Sequence, residues 1–267
     1  MTDRRLWQFI QFDDEWANAD TSIVDDLSAS WFARKKILQV SSTEYTNFME
    51  RLKREHAIET GVVERLYDLD RGVTRTLIQE GINDVFVSHG DSDIPKAQLM
   101  NHLKDHMDAV NYVFDVVANK YPFSVSFIKE LHSLVTRSQK TTKGMDQFGN
   151  ELEISLGKGV FKTKENNPSR EDGTIIKYCP PEHVNSEMES LIGIYNQLEA
   201  ELMHPVIIAA WFHHAFTQIH PFQDGNGRVA RLLTSLILIK HDYFPFTVAR
   251  EARLKYFDSW EEADEVK

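Results

Sequence analysis

Apolar residues recur at intervals of three and four along most of this 267-residue chain. That spacing places them on one face of an α-helix, whereas the alternation typical of half-buried strands is scarce. The clearest stretches are Leu77, Ile78 and Ile82; Phe127, Leu131 and Leu134; Leu191, Ile194 and Leu198; and Trp211, Ala215, Phe216 and Ile219. The chain is therefore predicted to be a mainly α protein.

The stretch from Thr141 to Pro181 breaks this pattern, because it is polar and contains several glycine and turn residues. We predict that Phe161–Thr163 and Thr174–Lys177 pair across the turn between them as a small β-hairpin. The composition changes little near Tyr121–Pro122, so we expect packed subregions on either side of this point and no flexible linker.

The charge balance and the cysteine content exclude several classes of protein. The chain has 30 Lys and Arg residues against 41 Asp and Glu residues, a formal net charge of -11. Such an acidic surface repels nucleic-acid backbones and anionic lipids, so neither nucleic acid nor a membrane is an expected partner. With Cys179 as its only cysteine, the chain cannot form an internal disulfide or a zinc site with several cysteine ligands.

The ends and the apolar runs of the sequence indicate a soluble, cytoplasmic protein. The N-terminus, MTDRRLWQFIQFDDEW, carries acids inside any apolar stretch and is unlike a signal peptide. The longest apolar run, around Leu236–Ile239, is far below the ~18 residues needed to span a bilayer. The sequence leaves a homodimer open.

Two almost wholly apolar segments, Val206–Ile219 and Val229–Ile239, flank a short polar loop. Both segments are predicted to be buried helices. In the loop, Gly225-Asn226-Gly227 leaves backbone N–H groups unobstructed, and Asn226 is a favoured N-cap residue. A glycine-containing helix N-terminus is well suited to bind an anion.

Charged residues around this loop point to chemistry on a phosphate. Arg228 and Arg231 lie three apart at a helix N-terminus, where the dipole disfavours each cation by ~0.3–1 kcal/mol unless an anion lies nearby. Asp224 suits a hard ion such as Mg²⁺, and His220 can accept a proton from a hydroxyl near neutral pH. Phe222 would anchor the loop in the core. The set indicates nucleotide-dependent group transfer.

The segment His220–Arg231, HPFQDGNGRVAR, resembles the signature of the Fic family, His-x-Phe-x-Asp/Glu-Gly-Asn-Gly-Arg-x-x-Arg, at every specified position. The surroundings extend the likeness. Ile128–His132 resembles the first core helix of such domains, and Pro180–Met188 resembles the stretch that leads to the next helix. The resemblance covers roughly Phe123–Tyr256, about half of the chain.

Fic proteins are helical bundles with a small β-hairpin flap, and they transfer AMP from ATP to a Tyr, Thr or Ser hydroxyl of a protein. The resemblance implies this fold and activity here, with ATP as substrate, Mg²⁺ as cofactor and an unidentified protein as acceptor. It implies these site residues: His220 as general base, Asp224 as the Mg²⁺ ligand, Gly225, Asn226 and Gly227 around the α- and β-phosphates, Arg228 at the β-phosphate and Arg231 at the γ-phosphate. Attack at the α-phosphorus needs charge neutralised on the leaving pyrophosphate, which this set would supply.

The predicted hairpin corresponds to the flap of the family, which holds target side chains by strand addition. Family members often have Gly-x-x-Arg at its start, whereas this chain has Gly159-Val160-Phe161-Lys162. The resemblance therefore specifies the transfer chemistry more closely than the target.

Upstream, Thr76–Gly81 resembles the inhibitory helix motif of the family, Ser/Thr-x-x-x-Glu-Gly/Asn. The resemblance implies that Glu80 pairs with Arg231 and takes the place of the γ-phosphate, because a carboxylate–guanidinium pair in a shielded cleft is strong. The alternative is that Glu80 is an exposed helix acid with Gly81 as the C-cap.

These expectations divide the chain into three parts: an N-terminal helical region with the inhibitory helix (1–122), a Fic catalytic core (123–256) and a C-terminal helical extension (257–267). Other functions stay open: phosphate transfer as in the Doc branch, another nucleotidyl transfer, removal of AMP, or a non-catalytic nucleotide-binding regulatory module. His102 and His106 have a metal-ligand spacing, but their polar neighbours favour a pair on the protein surface.

Overall fold

The computed structural model describes residues 7–145, 151–168 and 175–265. This part of the chain contains ten α-helices and one two-stranded antiparallel sheet, so the predicted mainly α fold is confirmed. The elements are α1 (Asp14–Ala17), α2 (Ser22–Val40), α3 (Ser42–Val63), α4 (Arg71–Glu80), α5 (Lys96–Ala118), α6 (Val125–Val135), β1 (Thr141–Met145), β2 (Glu151–Ser155), α7 (Val184–Ala200), α8 (Pro205–Ile219), α9 (Asn226–Lys240) and α10 (Arg253–Glu265). Within the described ranges no helix is both long and apolar enough to cross a membrane.

The described residues form two compact units, each built from two segments of the chain. The first unit combines Met1–Ala19 with Pro122–Ala230, and the second combines Asp20–Tyr121 with Arg231–Lys267. Helix α9 therefore begins in the first unit and ends in the second. The domain boundaries inferred from the sequence stay a prediction.

Helix α8 is the centre of the first unit. It is apolar on nearly every side and most of its residues are buried, as the sequence predicted. The N-terminal segment packs against it, because the Trp211 Nε1–H donates to the Gln11 carbonyl oxygen at 2.9 Å. The Ile10 N–H also donates to Glu187 Oε2 at 2.9 Å, which joins the same segment to α7.

The second unit packs around the C-terminal half of α3. Its buried core includes Ile58, Tyr67, Leu77, Leu99 and Leu103. The prediction of a surface histidine pair is wrong, because His102 and His106 are both buried in α5. They lie three residues after Leu99 and Leu103, so helical spacing places them on the same inward face.

The structure confirms a small β-hairpin, but the predicted strand positions are wrong, because the strands are β1 and β2 and Phe161–Thr163 is not one of them. β1 and β2 pair antiparallel, with Thr141 opposite Ser155. Phe161–Thr163 is irregular instead, because the Lys162 N–H donates to the Pro221 carbonyl oxygen at 2.8 Å and the Phe161 ring lies 5.4 Å from that of Phe222. Of its proposed partner strand, Thr174 lies outside the described residues.

Gly61 provides a test of packing in the second unit, since a Cβ atom there would lie 2.4 Å from Tyr67 Oη. Tyr67 cannot simply move away, because its hydroxyl donates to the Ile58 carbonyl oxygen at 3.0 Å. We expect Gly61→Ala to destabilise the protein by about 1–3 kcal/mol, as overpacked cores do. Thermal and denaturant unfolding followed by circular dichroism measures the effect.

Gly193→Ala is the matched control. Gly193 also lies inside a helix, but a Cβ atom there would meet nothing within 4 Å. This variant should gain ~0.5–1 kcal/mol, because alanine has the better helix propensity. Equal unfolding midpoints for the two variants would contradict the packing argument.

Candidate active site

His220 ends helix α8 in a left-handed conformation (φ 49°), and its N–H still bonds to the Phe216 carbonyl oxygen at 2.9 Å. This turn brings the imidazole back over its own helix end. Nδ1 lies 3.2 Å from the Thr217 carbonyl oxygen, which can only accept a hydrogen bond. A neutral His220 therefore carries its proton on Nδ1, and Nε2 keeps a lone pair for a substrate proton.

The residues around His220 stack on its imidazole ring and favour the neutral form of the ring. The Tyr178 ring stacks on the imidazole with centroids 3.9 Å apart and planes within 3°. Burial, followed by the charge of Lys162, lowers the pKa of His220 to about 3, against smaller opposing effects of Thr217 and Asp224. The buried Lys162 ammonium donates to Asn166 Oδ1 at 2.8 Å, and burial lowers its own pKa to about 8.

Phe222 and Asn226 close the loop between α8 and α9. Phe222 is completely buried, as predicted, and stacks on His132 with centroids 3.8 Å apart. The Asn226 amide accepts from the Phe222 N–H at 2.9 Å and donates to the Phe222 carbonyl oxygen at 2.7 Å. The prediction that Asn226 is the N-cap is wrong, because Asn226 begins α9 and its side chain bonds backward to the loop.

His132 joins this loop to two other parts of the first unit, a role that sequence reasoning missed. Its Nδ1 accepts from the Gly159 N–H at 2.9 Å, so Nε2 carries the proton and donates to the Asp224 carbonyl oxygen at 3.0 Å. Burial is the main reason that the pKa of His132 falls to about 4. The available signal was a histidine on the apolar face of helix α6.

The Asp224 carboxylate is ionised and well bonded. Oδ2 accepts from Gln139 Nε2 at 2.7 Å and from Thr142 Oγ1 at 2.6 Å, and Oδ1 accepts from the Gly225 N–H. Burial raises the pKa of Asp224, but the Arg228 charge and these hydrogen bonds outweigh it and lower the pKa below its usual value. A carboxylate has about four lone-pair sites, so one has no hydrogen bond from the described residues and can take a further partner.

Gly225 and Arg228 shape the N-terminus of α9. Gly225 adopts φ 80°, and a Cβ atom there would lie 2.9 Å from Thr136 Cγ2. Arg228 is 2% exposed, and its Nη2 donates to Gln139 Oε1 at 2.7 Å. Its Nε–H is buried without a hydrogen-bond partner among the described residues. A positive helix end with an unused cationic donor suits an anion.

The donor set of the first unit fits a metal ion that uses few protein ligands. In the described ranges no group of three or more His, Cys, Asp and Glu side chains could hold a metal. Asp224 supplies a single carboxylate with one lone-pair site left. Mg²⁺ commonly binds one or two carboxylates and takes its other ligands from water and substrate phosphates.

Arg231 lies in the second unit, and all three nitrogens of its guanidinium have partners there. It is 1% exposed, and its Nη2 lies 2.7 Å from Glu64 Oε1. Nε donates to Thr60 Oγ1 at 2.9 Å, and Nη1 donates to Tyr256 Oη at 3.5 Å. Burial alone would lower the pKa of Arg231, but the charge of Glu64 and the contact with Tyr256 together outweigh burial and raise this pKa above its usual value.

The predicted pairing of Arg231 with Glu80 is wrong, because Glu64 holds the guanidinium. Glu80 is the last residue of α4 and is exposed. Gly81 follows as its C-cap with φ 116°, which is the alternative that the sequence left open. An exposed carboxylate cannot be the partner of so deeply buried an arginine.

The sequence around Glu64 partly matches the inhibitory motif. Thr60 and Glu64 have the Thr-x-x-x-Glu spacing of the inhibitory motif, but Arg65 follows where the motif has Gly or Asn. Gly and Asn suit a left-handed residue, and Arg65 adopts that conformation with φ 54°. The Leu66 N–H then bonds to the Gly61 carbonyl oxygen at 3.0 Å, as in a Schellman helix end.

The segment that carries His220, Asp224 and Arg228 matches a known protein family. A sequence model described as the Fic/DOC family matches residues 122–238. The chain is 41% identical to "Protein adenylyltransferase Fic" of Culex quinquefasciatus over 78 residues, 29% of this chain and 16% of the relative. It is 43% identical to a Fido domain-containing protein of Dictyostelium discoideum over 72 residues, 27% of this chain and 50% of the relative. These matches span half or less of the relatives' lengths.

Solved structures share the fold over a larger part of the chain. A Fic domain containing signaling protein from Bacteroides thetaiotaomicron has a TM-score of 0.70 and 23% identity, covering 87% of this chain and 80% of its own. A Fic family protein from Desulfovibrio desulfuricans has a TM-score of 0.62 and 19% identity, covering 96% and 68%. At such identities the likeness establishes the fold and nothing further.

The low pKa of His220 can be tested without any substrate. Lys162→Met removes a positive charge that disfavours the imidazolium, so the pKa of His220 should rise but stay below 6.5, because burial is the larger cause. An NMR titration of the histidine ring signals, with His220→Gln for assignment, measures this pKa. Lys164→Met is the matched control, since Lys164 is exposed two residues away. A His220 pKa that is equal in both variants would contradict the assigned role of Lys162.

Proposed function

Because residues 122–238 form a Fic/DOC family domain, we propose that this protein is an adenylyltransferase that places AMP from ATP on a hydroxyl side chain of a target protein. The observation that carries the proposal is the hydrogen bond between His220 Nδ1 and the Thr217 carbonyl oxygen, which assigns the proton of the neutral ring to Nδ1. With Nδ1–H bonded to the Thr217 carbonyl oxygen, Nε2 carries a lone pair that can accept a proton at the start of the motif loop.

In the proposed reaction, the target hydroxyl oxygen attacks the α-phosphorus of ATP and pyrophosphate leaves. The hydroxyl proton passes to His220 Nε2, which is unprotonated in the neutral ring. The low pKa of His220 keeps the ring neutral at physiological pH. General-base catalysis of this kind typically contributes 10²–10⁴-fold in rate.

The backbone N–H groups that begin α9 would bind the phosphates, with Gly225 allowing close approach and Arg228 supplying positive charge. Asn226 contributes through the loop that its amide closes on Phe222. Asp224 would hold Mg²⁺, which when bound neutralises charge on the phosphate oxygens. The acceptor is a protein with an accessible Tyr, Thr or Ser, and a cytoplasmic location is part of the proposal.

We also propose that Glu64 restrains the activity in place of Glu80. The resemblance assigns Arg231 to the γ-phosphate, and Glu64 occupies the same guanidinium at 2.7 Å. A phosphate that reaches Arg231 must displace this carboxylate. Because Arg231 is buried, the Glu64 pair is shielded from solvent and stronger than an ordinary surface ion pair.

The transfer reaction is tested by the position of the label in ATP. Incubation with α-labelled ATP and Mg²⁺ should label this protein or a partner, and His220→Ala should lose at least ~10²-fold of that labelling. The fold of the variant is checked by circular dichroism and its ATP affinity by calorimetry. Incorporation of γ-label alone would indicate a kinase-like phosphotransferase, release of AMP from modified protein would indicate hydrolytic removal of AMP by water, and undiminished transfer by His220→Ala would exclude the mechanism.

Glu64 and Glu80 are discriminated by matched substitutions. Glu64→Gly should raise α-label incorporation about tenfold, which corresponds to relief of ~1.4 kcal/mol of competition for Arg231. Glu80→Gly should leave incorporation unchanged, because Glu80 is exposed. Adding Arg231→Ala to Glu64→Gly should cancel the gain. Activation by Glu80→Gly and not by Glu64→Gly would favour the interpretation made from the sequence.

A further inference from the structure

Gln139 lies between the two charged side chains of the first unit's site. Its amide nitrogen Nε2 donates to Asp224 Oδ2 at 2.7 Å, and its amide oxygen Oε1 accepts from Arg228 Nη2 at 2.7 Å. The direct approach of Arg228 Nη2 to Asp224 Oδ1 is longer, at 3.6 Å. These two bonds have ideal lengths, whereas the direct ion pair is loose, and Nε2 also donates to the Thr141 carbonyl oxygen at 3.3 Å.

The two neighbours dictate the orientation of this amide. A guanidinium only donates hydrogen bonds and an ionised carboxylate only accepts them. The opposite orientation of Gln139 would place the NH₂ group against Arg228 and the oxygen against Asp224, which gives two repulsive contacts. A neutral side chain with one donor end and one acceptor end is therefore what this position requires.

The backbone of Gln139 is also held. Its N–H bonds to the Thr136 carbonyl oxygen at 3.0 Å, just after the end of α6. The ammonium of Lys158 donates to the carbonyl oxygens of both Thr136 and Gln139. Because the root of the side chain is fixed, the amide reaches Asp224 and Arg228 from a preorganised position.

We propose that Gln139 is a positioning residue of this site, which keeps the Asp224 carboxylate and the Arg228 guanidinium apart and oriented. Asp224 then retains one lone-pair site for a ligand, and Arg228 retains an Nε–H that has no partner among the described residues. Without the amide, the two opposite charges close into a direct ion pair and satisfy each other. That a nucleotide is the ligand rests on the proposed function, whereas the separation of the charges does not.

Thr142 offers a matched control, because it contacts only one of the two groups. Its Oγ1 donates to Asp224 Oδ2 at 2.6 Å. Thr142→Val keeps the shape and removes one hydrogen bond to the carboxylate, while the Gln139 amide still separates it from Arg228. Gln139→Leu removes the amide's bonds to both charged groups, and the longer one to the Thr141 carbonyl oxygen, at similar volume, and Gln139→Met serves if the leucine variant does not fold.

The first experiment is crystallography of the parent, Gln139→Leu and Thr142→Val without nucleotide. In the leucine or methionine variant, the shortest Arg228–Asp224 nitrogen–oxygen distance should fall to about 2.8 Å, as in direct guanidinium–carboxylate pairs. Thr142→Val should keep the parent's arrangement of Gln139 and Arg228. Unchanged positions of Asp224 and Arg228 in the Gln139 variants would overturn the proposal, whatever the protein's activity.

The second experiment is calorimetry of ATP binding in EDTA and in Mg²⁺. In EDTA, Gln139→Leu should weaken ATP binding about tenfold, since Arg228 is then engaged by Asp224, and Thr142→Val should not change it. In Mg²⁺ both variants should bind ATP more weakly than the parent. Equal affinities of the two variants in EDTA would overturn the proposal. If the parent binds ATP in neither condition, the proposed function fails, and the crystal structures still decide the role of Gln139.

Discussion

The burial of two guanidinium groups in the first half of one helix is the constraint on which the site depends. An unpaired buried charge costs several kcal/mol, so Arg228 and Arg231 each require compensation inside the protein. Arg228 has Asp224 and the Gln139 amide within its own unit. Arg231 has Glu64 and Thr60 within the other. Each buried arginine of α9 thus has a carboxylate close to its guanidinium.

Neutral side chains supply most of the order around these charges. The imidazole of His132 and the amides of Asn226 and Gln139 each have one donor and one acceptor end in use, and each joins two backbone or side-chain groups. A flipped amide or a protonated imidazole would lose these hydrogen bonds. The motif loop is thus held in place before any ligand arrives, which reduces the cost of binding.

Helical periodicity and the motif spacing predict much of this molecule. The apolar segments on both sides of His220 are helices α8 and α9, and Phe222 anchors the loop as expected. The Thr-x-x-x-Glu spacing occurs at both Thr60–Glu64 and Thr76–Glu80, and both glutamates are far from Arg231 in the chain, so spacing alone could not decide which one meets it. The motif favoured Glu80 because Gly81 follows it, whereas Glu64 is followed by Arg65 and so does not match the last position of the motif. Gln139 carried no pattern at all, as its role depends on two partners that only folding brings together.

If Glu64 restrains the activity as proposed, its ion pair with Arg231 makes the activity depend on the ATP concentration. A protein whose binding-competent state is only a small fraction of the population binds its ligand more weakly by that same fraction. A pair that favours the closed state by about 1.4 kcal/mol would leave roughly a tenth of the molecules open and raise the apparent Kd about tenfold. Glu64 is partly exposed, so on this proposal a local change at its carboxylate would alter the ATP concentration at which the protein becomes active.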